Sequence, residues 1–263
     1  MKSTLDQVEA IKANGYSLDF SNVFNHAFEN YKKIALYAGL IILVFSILFF
    51  IGFTFIVGAY YGAESLNEEF FKNLGVQKLS SVQLLASTFI ISFLSALLSP
   101  FGAGFLKMAD SADKDNEFNV STIFSYYQAP YFSQLFISAF ILALVGSAIT
   151  NTLESLGLGI LGSIISLIIS FFTILTIPLI VFGNLKALDA IKSSVIVVSK
   201  NPFVLLALVI TGILGSFVGV IGCCIGVVFT IAFNTSMSYA MYCAIFDIEE
   251  DDSIDSIGTS YSE

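Results

Sequence analysis

Residues 34–63 read IALYAGLIILVFSILFFIGFTFIVGAYYGA, a run of thirty residues that contains no Lys, Arg, Asp or Glu. A charged side chain at the centre of a bilayer costs roughly 2.5–3.5 kcal/mol on insertion scales, so a long run without one is typical of a membrane-spanning helix. About 20 apolar residues cross the hydrocarbon layer as a helix. This stretch therefore decides the class of fold, because it predicts a helix that spans a membrane.

Four more uncharged stretches follow, at residues 79–106, 118–153, 155–185 and 201–246. The first three each suit one span. The last would be about 69 Å long as a single helix, at ~1.5 Å per residue, so we expect it to fold back once. The count is therefore six spans, predicted at about 34–62, 79–106, 131–150, 156–185, 203–219 and 223–246.

The composition agrees with a membrane protein. Only 12% of the residues are charged and 56% are hydrophobic, whereas soluble domains carry roughly 25% charged residues. The net charge of −9 argues against nucleic acid as a partner. Residues 1–18 form a polar N-terminal segment, residues 19–246 a transmembrane domain, and residues 247–263 an acidic tail that we expect to be disordered.

The lysines predict the orientation of the chain. With the N-terminus inside, the inner segments 1–33, 107–130 and 186–200 hold nine of the eleven cations, and the outer connections hold only Lys72 and Lys78. Cytoplasmic loops of membrane proteins carry an excess of Lys and Arg. Both termini are therefore predicted to be cytoplasmic.

An internal repeat predicts how the spans are arranged. Three apolar stripes at helical spacing precede the hairpins, and each predicts a short elbow helix in the cytoplasmic interface. The stripes are Phe20, Val23, Phe24, Ala27 and Tyr31; Val120, Ile123, Phe124, Tyr127 and Tyr131; and Leu188, Ile191, Val195 and Val198. The predicted fold is an all-α membrane bundle of six transmembrane helices in three hairpins, each preceded by an amphipathic elbow helix.

Several local patterns resemble those of a known group of proteins. They are the elbow at 19–33, the Leu-Lys-x-x-Asp pattern at 106–110 and 185–189 with its continuation through 190–194, and Lys200-Asn201-Pro202-Phe203. Together they resemble six-helix bacterial inner-membrane proteins, a group that includes the YciC-like proteins and the integral-membrane domain of some glycerophosphodiester phosphodiesterases. The resemblance covers most of residues 19–246 and implies a six-helix fold in the bacterial inner membrane. It implies no chemistry, and the phosphodiesterase activity does not carry over.

Three residues are candidates for a substrate site or for helix packing. Pro100 and Pro178 lie inside predicted spans, where each removes a backbone donor. Matching breaks in repeated membrane helices can build a substrate site, but we favour kinks that shape the bundle, with nearby serines and Thr173 bonding to the freed backbone. Asn234 lies at the centre of the sixth span, where we favour a hydrogen bond to a neighbouring helix over a ligand contact.

No pattern of catalytic, cofactor-binding or metal-binding residues appears. The chain has no GxSxG turn, P-loop or dinucleotide fingerprint. His26, the sole histidine, falls on the polar face of the first elbow, where we expect it to contact water. Cys223, Cys224 and Cys243 lack the spacing of metal ligands. We therefore predict no enzymatic activity, no cofactor and no metal site.

Two functions from different classes are consistent with these patterns. The first is an accessory or scaffold protein that interacts with the lipid bilayer, with a membrane protein or with a second copy of the chain. The second is a transporter of a small solute or a lipid, which would use Pro100, Pro178 and Asn234. A polar cavity that reaches the middle of the membrane separates the two hypotheses, because a transporter needs such a cavity and a scaffold does not.

Overall fold

The computed structural model describes residues 3–62, 80–221 and 225–246. The described residues contain ten α-helices, one short 3-10 helix and no β-strand. The predicted outer loop at 64–78, the Cys223–Cys224 pair and the acidic tail lie outside them. The α-helices are α1 (Thr4–Asn14), α2 (Phe20–Tyr61), α3 (Ser81–Asp113), α4 (Val120–Ile123), α5 (Tyr131–Ser155), α6 (Gly159–Phe172), α7 (Thr176–Val181), α8 (Ala187–Lys200), α9 (Pro202–Ile221) and α10 (Ile225–Phe246), and the 3-10 helix is Ser125–Tyr127.

Five parts of the chain are helical, long and apolar enough to cross a membrane: Phe20–Ala59, Val82–Asp113, Tyr131–Ser155, Gly159–Val181 and Pro202–Gly219. Large apolar side chains cover the outside of these helices, and Phe55, Ile160 and Phe203 are 76%, 80% and 84% exposed. An exposed apolar surface of this extent suits lipid rather than water. The protein is therefore an all-helical, multi-pass membrane protein. The helix α10 is not among the five, and it carries Asn234, Thr235 and Ser236 in succession.

The helix α2 continues through the first predicted elbow. It runs for 42 residues as one helix, so residues 20–33 do not form a separate element. The Asp19 carboxylate accepts a hydrogen bond from the Asn22 N–H at the start (2.8 Å), and no Gly or Pro follows before Gly39 to end the helix. A 42-residue helix is about 63 Å long, roughly twice the hydrocarbon thickness, so residues 20–33 carry their polar side chains beyond the membrane-spanning part.

The other two predicted elbows differ from each other. The second divides into α4 and the 3-10 helix, with Ile123 and Tyr126 buried. The third is a separate fourteen-residue helix, α8, and Leu188 and Val195 of its predicted apolar stripe are exposed. The opposite face of α8 packs against α7, and α1 also packs against α8.

The long helices form two groups of three. In the first group, α10 packs along both α2 and α9, and the glycines of α9 allow a close approach. A Cβ atom at Gly215 would lie 2.6 Å from the Phe233 ring, and one at Gly219 would meet the backbone of Gly226, so these two glycines serve packing within the chain. In the second group, α3 packs against α5 and α5 against α6.

Candidate functional site

A break in the fourth span is the clearest irregularity within the membrane-length helices. The helix α6 ends at Phe172 and α7 begins at Thr176, two residues before Pro178. Ser194 of α8 bonds to both sides of the break: its hydroxyl accepts from the Leu175 N–H (3.1 Å) and donates to the Phe172 carbonyl (2.8 Å). The Thr173 hydroxyl donates to the Ile169 carbonyl (2.8 Å), which also accepts from the Thr173 N–H, and not to the backbone that Pro178 frees, as we had expected. A side chain from another helix therefore stabilises the interrupted backbone.

A cavity of about 590 Å³ lies between α3, α5 and α6, and the break forms one end of it. Its lining residues fall in the first half of α3, the second half of α5 and the second half of α6, so it extends into the middle of these spans. None of the described lining residues is charged. The polar lining residues are Ser87, Thr88, Ser147, Thr150, Asn151, Ser166, Ser170 and Thr173, and the others are Leu84, Ile91, Leu142, Ala143, Gly146 and Ile169.

The hydroxyl groups of this cavity differ in their hydrogen bonds. The Asn151 amide donates to the Thr88 hydroxyl (3.0 Å), which joins α5 to α3 across one wall. Four other lining residues make no side-chain hydrogen bond within the described residues, and they are Ser147, Thr150, Ser166 and Ser170. The gap between α5 and α6 is narrow at Gly162 of α6, where a Cβ atom would lie 3.2 Å from the Thr150 backbone of α5. The cavity therefore presents free donors and acceptors at membrane depth.

The structure does not bring the three predicted site residues together. Pro178 is buried in α7 after the break and is not among the residues that line the cavity. Pro100 is buried in α3, which stays helical from Ser81 to Asp113, so it breaks no helix. Asn234 lies in the other helix group, where its amide donates to the Ser216 hydroxyl of α9 (2.6 Å). The hydrogen bond to a neighbouring helix that we favoured for Asn234 is therefore the one observed.

The predicted role of the serines before Pro100 is wrong for two of them. The Ser92 and Ser99 hydroxyls are buried and have no hydrogen-bond partner among the described residues. The Tyr127 phenol instead donates to the carbonyl of Leu97, which lies about one turn before the proline (3.0 Å).

A polar network at one end of the bundle was missed by the sequence analysis, and we call this the charged end. Here His26 is not simply solvated, because its Nε2 lies 2.9 Å from the Asp113 carboxylate and its side chain is one-third exposed. Asp113 also accepts from the Tyr239 phenol (3.2 Å). Asp110, only 3% exposed, pairs with Lys107 and Lys114, each at 2.7 Å.

Asn30 adds a fully buried contact to the charged end. Its amide donates to the Ala109 carbonyl (2.7 Å) and accepts from the Ser236 hydroxyl (2.8 Å), so it ties α2 to both α3 and α10. The spacing of His26, Asn30 and Lys33 places all three on one helical face, and this was the signal in the sequence. The network joins the two helix groups, and we assign it a structural role.

The N-terminal segment packs against α8. Val8 and Ile11 of α1 are buried, and the Tyr16 phenol donates to the Val197 carbonyl (3.2 Å). Burial raises the pKa of Tyr16 well above its usual value, so the phenol stays neutral and remains a donor. The helix that holds the break through Ser194 is thus itself fixed by the N-terminal segment.

No metal site in the described residues and no similar known protein points to a function. Among residues 3–62, 80–221 and 225–246, no three His, Cys, Asp or Glu side chains lie where they would hold a metal ion. No protein-family model, curated protein or solved structure matches the chain.

Proposed function

We propose that this protein binds a small solute or a lipid in the cavity between α3, α5 and α6 and transfers it within or across the membrane. The observation that carries the proposal is a polar cavity at membrane depth beside a broken helix. Interrupted helices form the substrate sites of many transporters, and a volume of this size falls within the ~300–1,000 Å³ of small-molecule sites. Pro178 contributes by ending regular helix next to the cavity, whereas Pro100 and Asn234 serve packing.

A matched pair of variants on α5 tests this proposal. Ala143 lines the cavity, and Ala148 is exposed on another face of the same helix. We expect Ala143→Leu to fill the cavity and to lower flux at least tenfold in proteoliposomes, while Ala148→Leu leaves flux unchanged. Glycerol-driven swelling and the flipping of a fluorescent phospholipid are the two flux measurements. Equal flux in the two variants, or no flux above that of empty liposomes in both measurements, would contradict transport through this cavity.

We further propose that α10 is a sixth span and that the bundle lies in a bacterial inner membrane with both termini cytoplasmic. The support is that α10 packs antiparallel to α2 and α9, both of which are long enough to cross the membrane, and that its 22 residues extend about 33 Å. The resemblance to six-helix bacterial proteins belongs to the same proposal. Two reporters fused after residue 263 test the side of the C-terminus, one active only in the cytoplasm and the other active only outside. Activity of the second reporter alone would contradict a cytoplasmic C-terminus.

An accessory or scaffold role is the second candidate, and α8 is the observation that favours it. Leu188, Lys192 and Val195 lie on its exposed face, a combination that suits an interfacial helix contacting lipid headgroups or a membrane partner. Replacing Leu188 and Val195 with Ser would then release a co-purifying protein or lipid without changing flux. Unchanged co-purification would remove α8 from this role.

A further inference from the structure

We infer that the cavity between α3, α5 and α6 takes an uncharged ligand that carries several hydroxyl groups. The inference rests on the proposed binding role of the cavity and adds the chemical class of the ligand. The ligand group is either the headgroup of a neutral lipid that enters from the bilayer or a free polyol. Both have the same chemistry at the point of contact.

The lining of the cavity argues against a charged ligand. The described lining residues include no Lys, His, Asp or Glu, and the ion pairs of the buried Asp110 lie at the charged end instead. A charge moved from water into a site of low polarity is strongly disfavoured unless an opposite charge pairs with it. An anionic or cationic ligand would meet no such partner here.

The free hydroxyl groups argue for a ligand with hydroxyls of its own. Ser147, Thr150, Ser166 and Ser170 have no side-chain partner within the described residues, and each hydroxyl can both donate and accept a hydrogen bond. A ligand hydroxyl has the same double capacity, so it pairs with such a group in either direction. A purely apolar ligand would leave these polar groups unsatisfied, which disfavours it.

The position of the polar and apolar lining residues suits a polyol with an attached apolar part. Leu84 and Ile91 of α3 and Leu142 of α5 share the cavity with the hydroxyls. Pockets that bind small molecules usually combine apolar walls with a few polar groups that orient the ligand. The same walls accept the carbon face of a free sugar or the first part of an acyl chain.

Two matched pairs of ligands test the inference on the purified, delipidated full-length protein. The lipid pair is glucosyl dioleoylglycerol and its glucose 6-phosphate ester, and the free pair is glucose and glucose 6-phosphate. Within each pair the two members differ by one phosphate group. Native mass spectrometry measures the lipid pair and isothermal titration calorimetry the free pair. We expect the uncharged member of at least one pair to bind ten times more tightly than its phosphorylated counterpart, and the pair that responds identifies the source of the ligand.

Substitutions of the lining hydroxyls show whether binding occurs in this cavity. We expect Thr150→Val combined with Ser166→Ala to weaken binding of the uncharged ligand about tenfold, because both changes remove a hydroxyl and nearly preserve shape. Ser133→Ala is the control, since this hydroxyl donates to the Pro130 carbonyl at the start of α5, away from the cavity. A thermal unfolding curve for each variant verifies that it is folded, and Ala143→Leu replaces the double variant if the latter is not.

The outcomes separate this inference from the proposed transport. Equal or tighter binding of the phosphorylated member in both pairs, no binding in either pair, or binding that the lining substitutions leave unchanged would overturn the inference. Transport of a charged solute that Ala143→Leu blocks would support the proposed function and contradict the ligand class. Selective binding of an uncharged polyol without flux would support the ligand class and contradict transport.

Discussion

Replacing Ser194 with Ala is expected to destabilise the break between α6 and α7. The Ser194 hydroxyl accepts from the Leu175 N–H at 3.1 Å and donates to the Phe172 carbonyl at 2.8 Å, and Ser194 is fully buried. Alanine removes both hydrogen bonds and supplies no substitute. A buried polar group left without a partner costs about 1–3 kcal/mol, so two such groups predict a loss of about 2–6 kcal/mol in the free energy of unfolding.

The size of this loss shows whether Ser194 pairs backbone groups that have no other partner or makes only an average interhelical hydrogen bond. Interhelical hydrogen bonds in a membrane protein contribute about 0.6 kcal/mol on average, so a larger loss would indicate unpaired backbone at the break. Steric trapping in bicelles measures the free energy of unfolding of the variant. Ser199→Ala is the matched control on the same helix, because the Ser199 hydroxyl is exposed and donates only to the Val195 carbonyl of its own helix.

The same variant also tests whether the break matters for the cavity. Thr173 belongs both to the break and to the cavity lining, so a loosened break should reduce ligand binding or flux at temperatures where the protein remains folded. A loss of less than ~0.5 kcal/mol for Ser194→Ala, equal to that of Ser199→Ala, would refute the reasoning that this hydroxyl stabilises the interrupted backbone.

Two further predictions concern packing and the charged end. Gly104→Ala should lower stability by about 1–3 kcal/mol, because the new Cβ atom would meet the backbone of α4. The control is Gly102→Ala on the same helix, which has open space and should be neutral or stabilising. Equal thermal unfolding of the two variants would contradict this prediction. Asn30→Leu should cost about 2–3 kcal/mol because it leaves the buried Ser236 hydroxyl without its partner, while Asn25→Leu at an exposed position should change stability by less than ~0.5 kcal/mol. Steric trapping measures the free energy of unfolding of Asn30→Leu and Asn25→Leu, and equal values would show that the Asn30 contacts do not stabilise the fold.

The sequence was sufficient to predict the class of the protein and some local features. Long runs without charge report membrane-spanning helices directly, because each residue contributes to the transfer free energy independently of its tertiary contacts. The interruption near Pro178 was likewise predictable, since a missing N–H and a clash with the preceding turn act within a few residues. At Pro100 the helix α3 continues, so a proline inside a predicted span does not by itself end the helix.

The first elbow shows a second limit of local patterns. An apolar stripe at 20–31 followed by an apolar run predicted two helices, yet both have helical periodicity and no breaking residue separates them. Periodicity alone does not reveal whether adjacent helical segments are continuous. The direction of a helix at the membrane interface depends on what packs against it, and here Asn30 and His26 bind residues of α3.

The sequence by itself therefore determined that this chain is a helical membrane protein, and approximately where its spans lie. Only the tertiary structure decided where polar groups meet. His26 and Asp113 are 87 positions apart, Asn30 and Ser236 are 206 apart, and Ser194 reaches the break from another helix. The cavity is likewise lined by three helices, so no single segment carries its signature. Transfer free energy is a sum over local residues, whereas a binding site depends on distances between residues that only packing brings together.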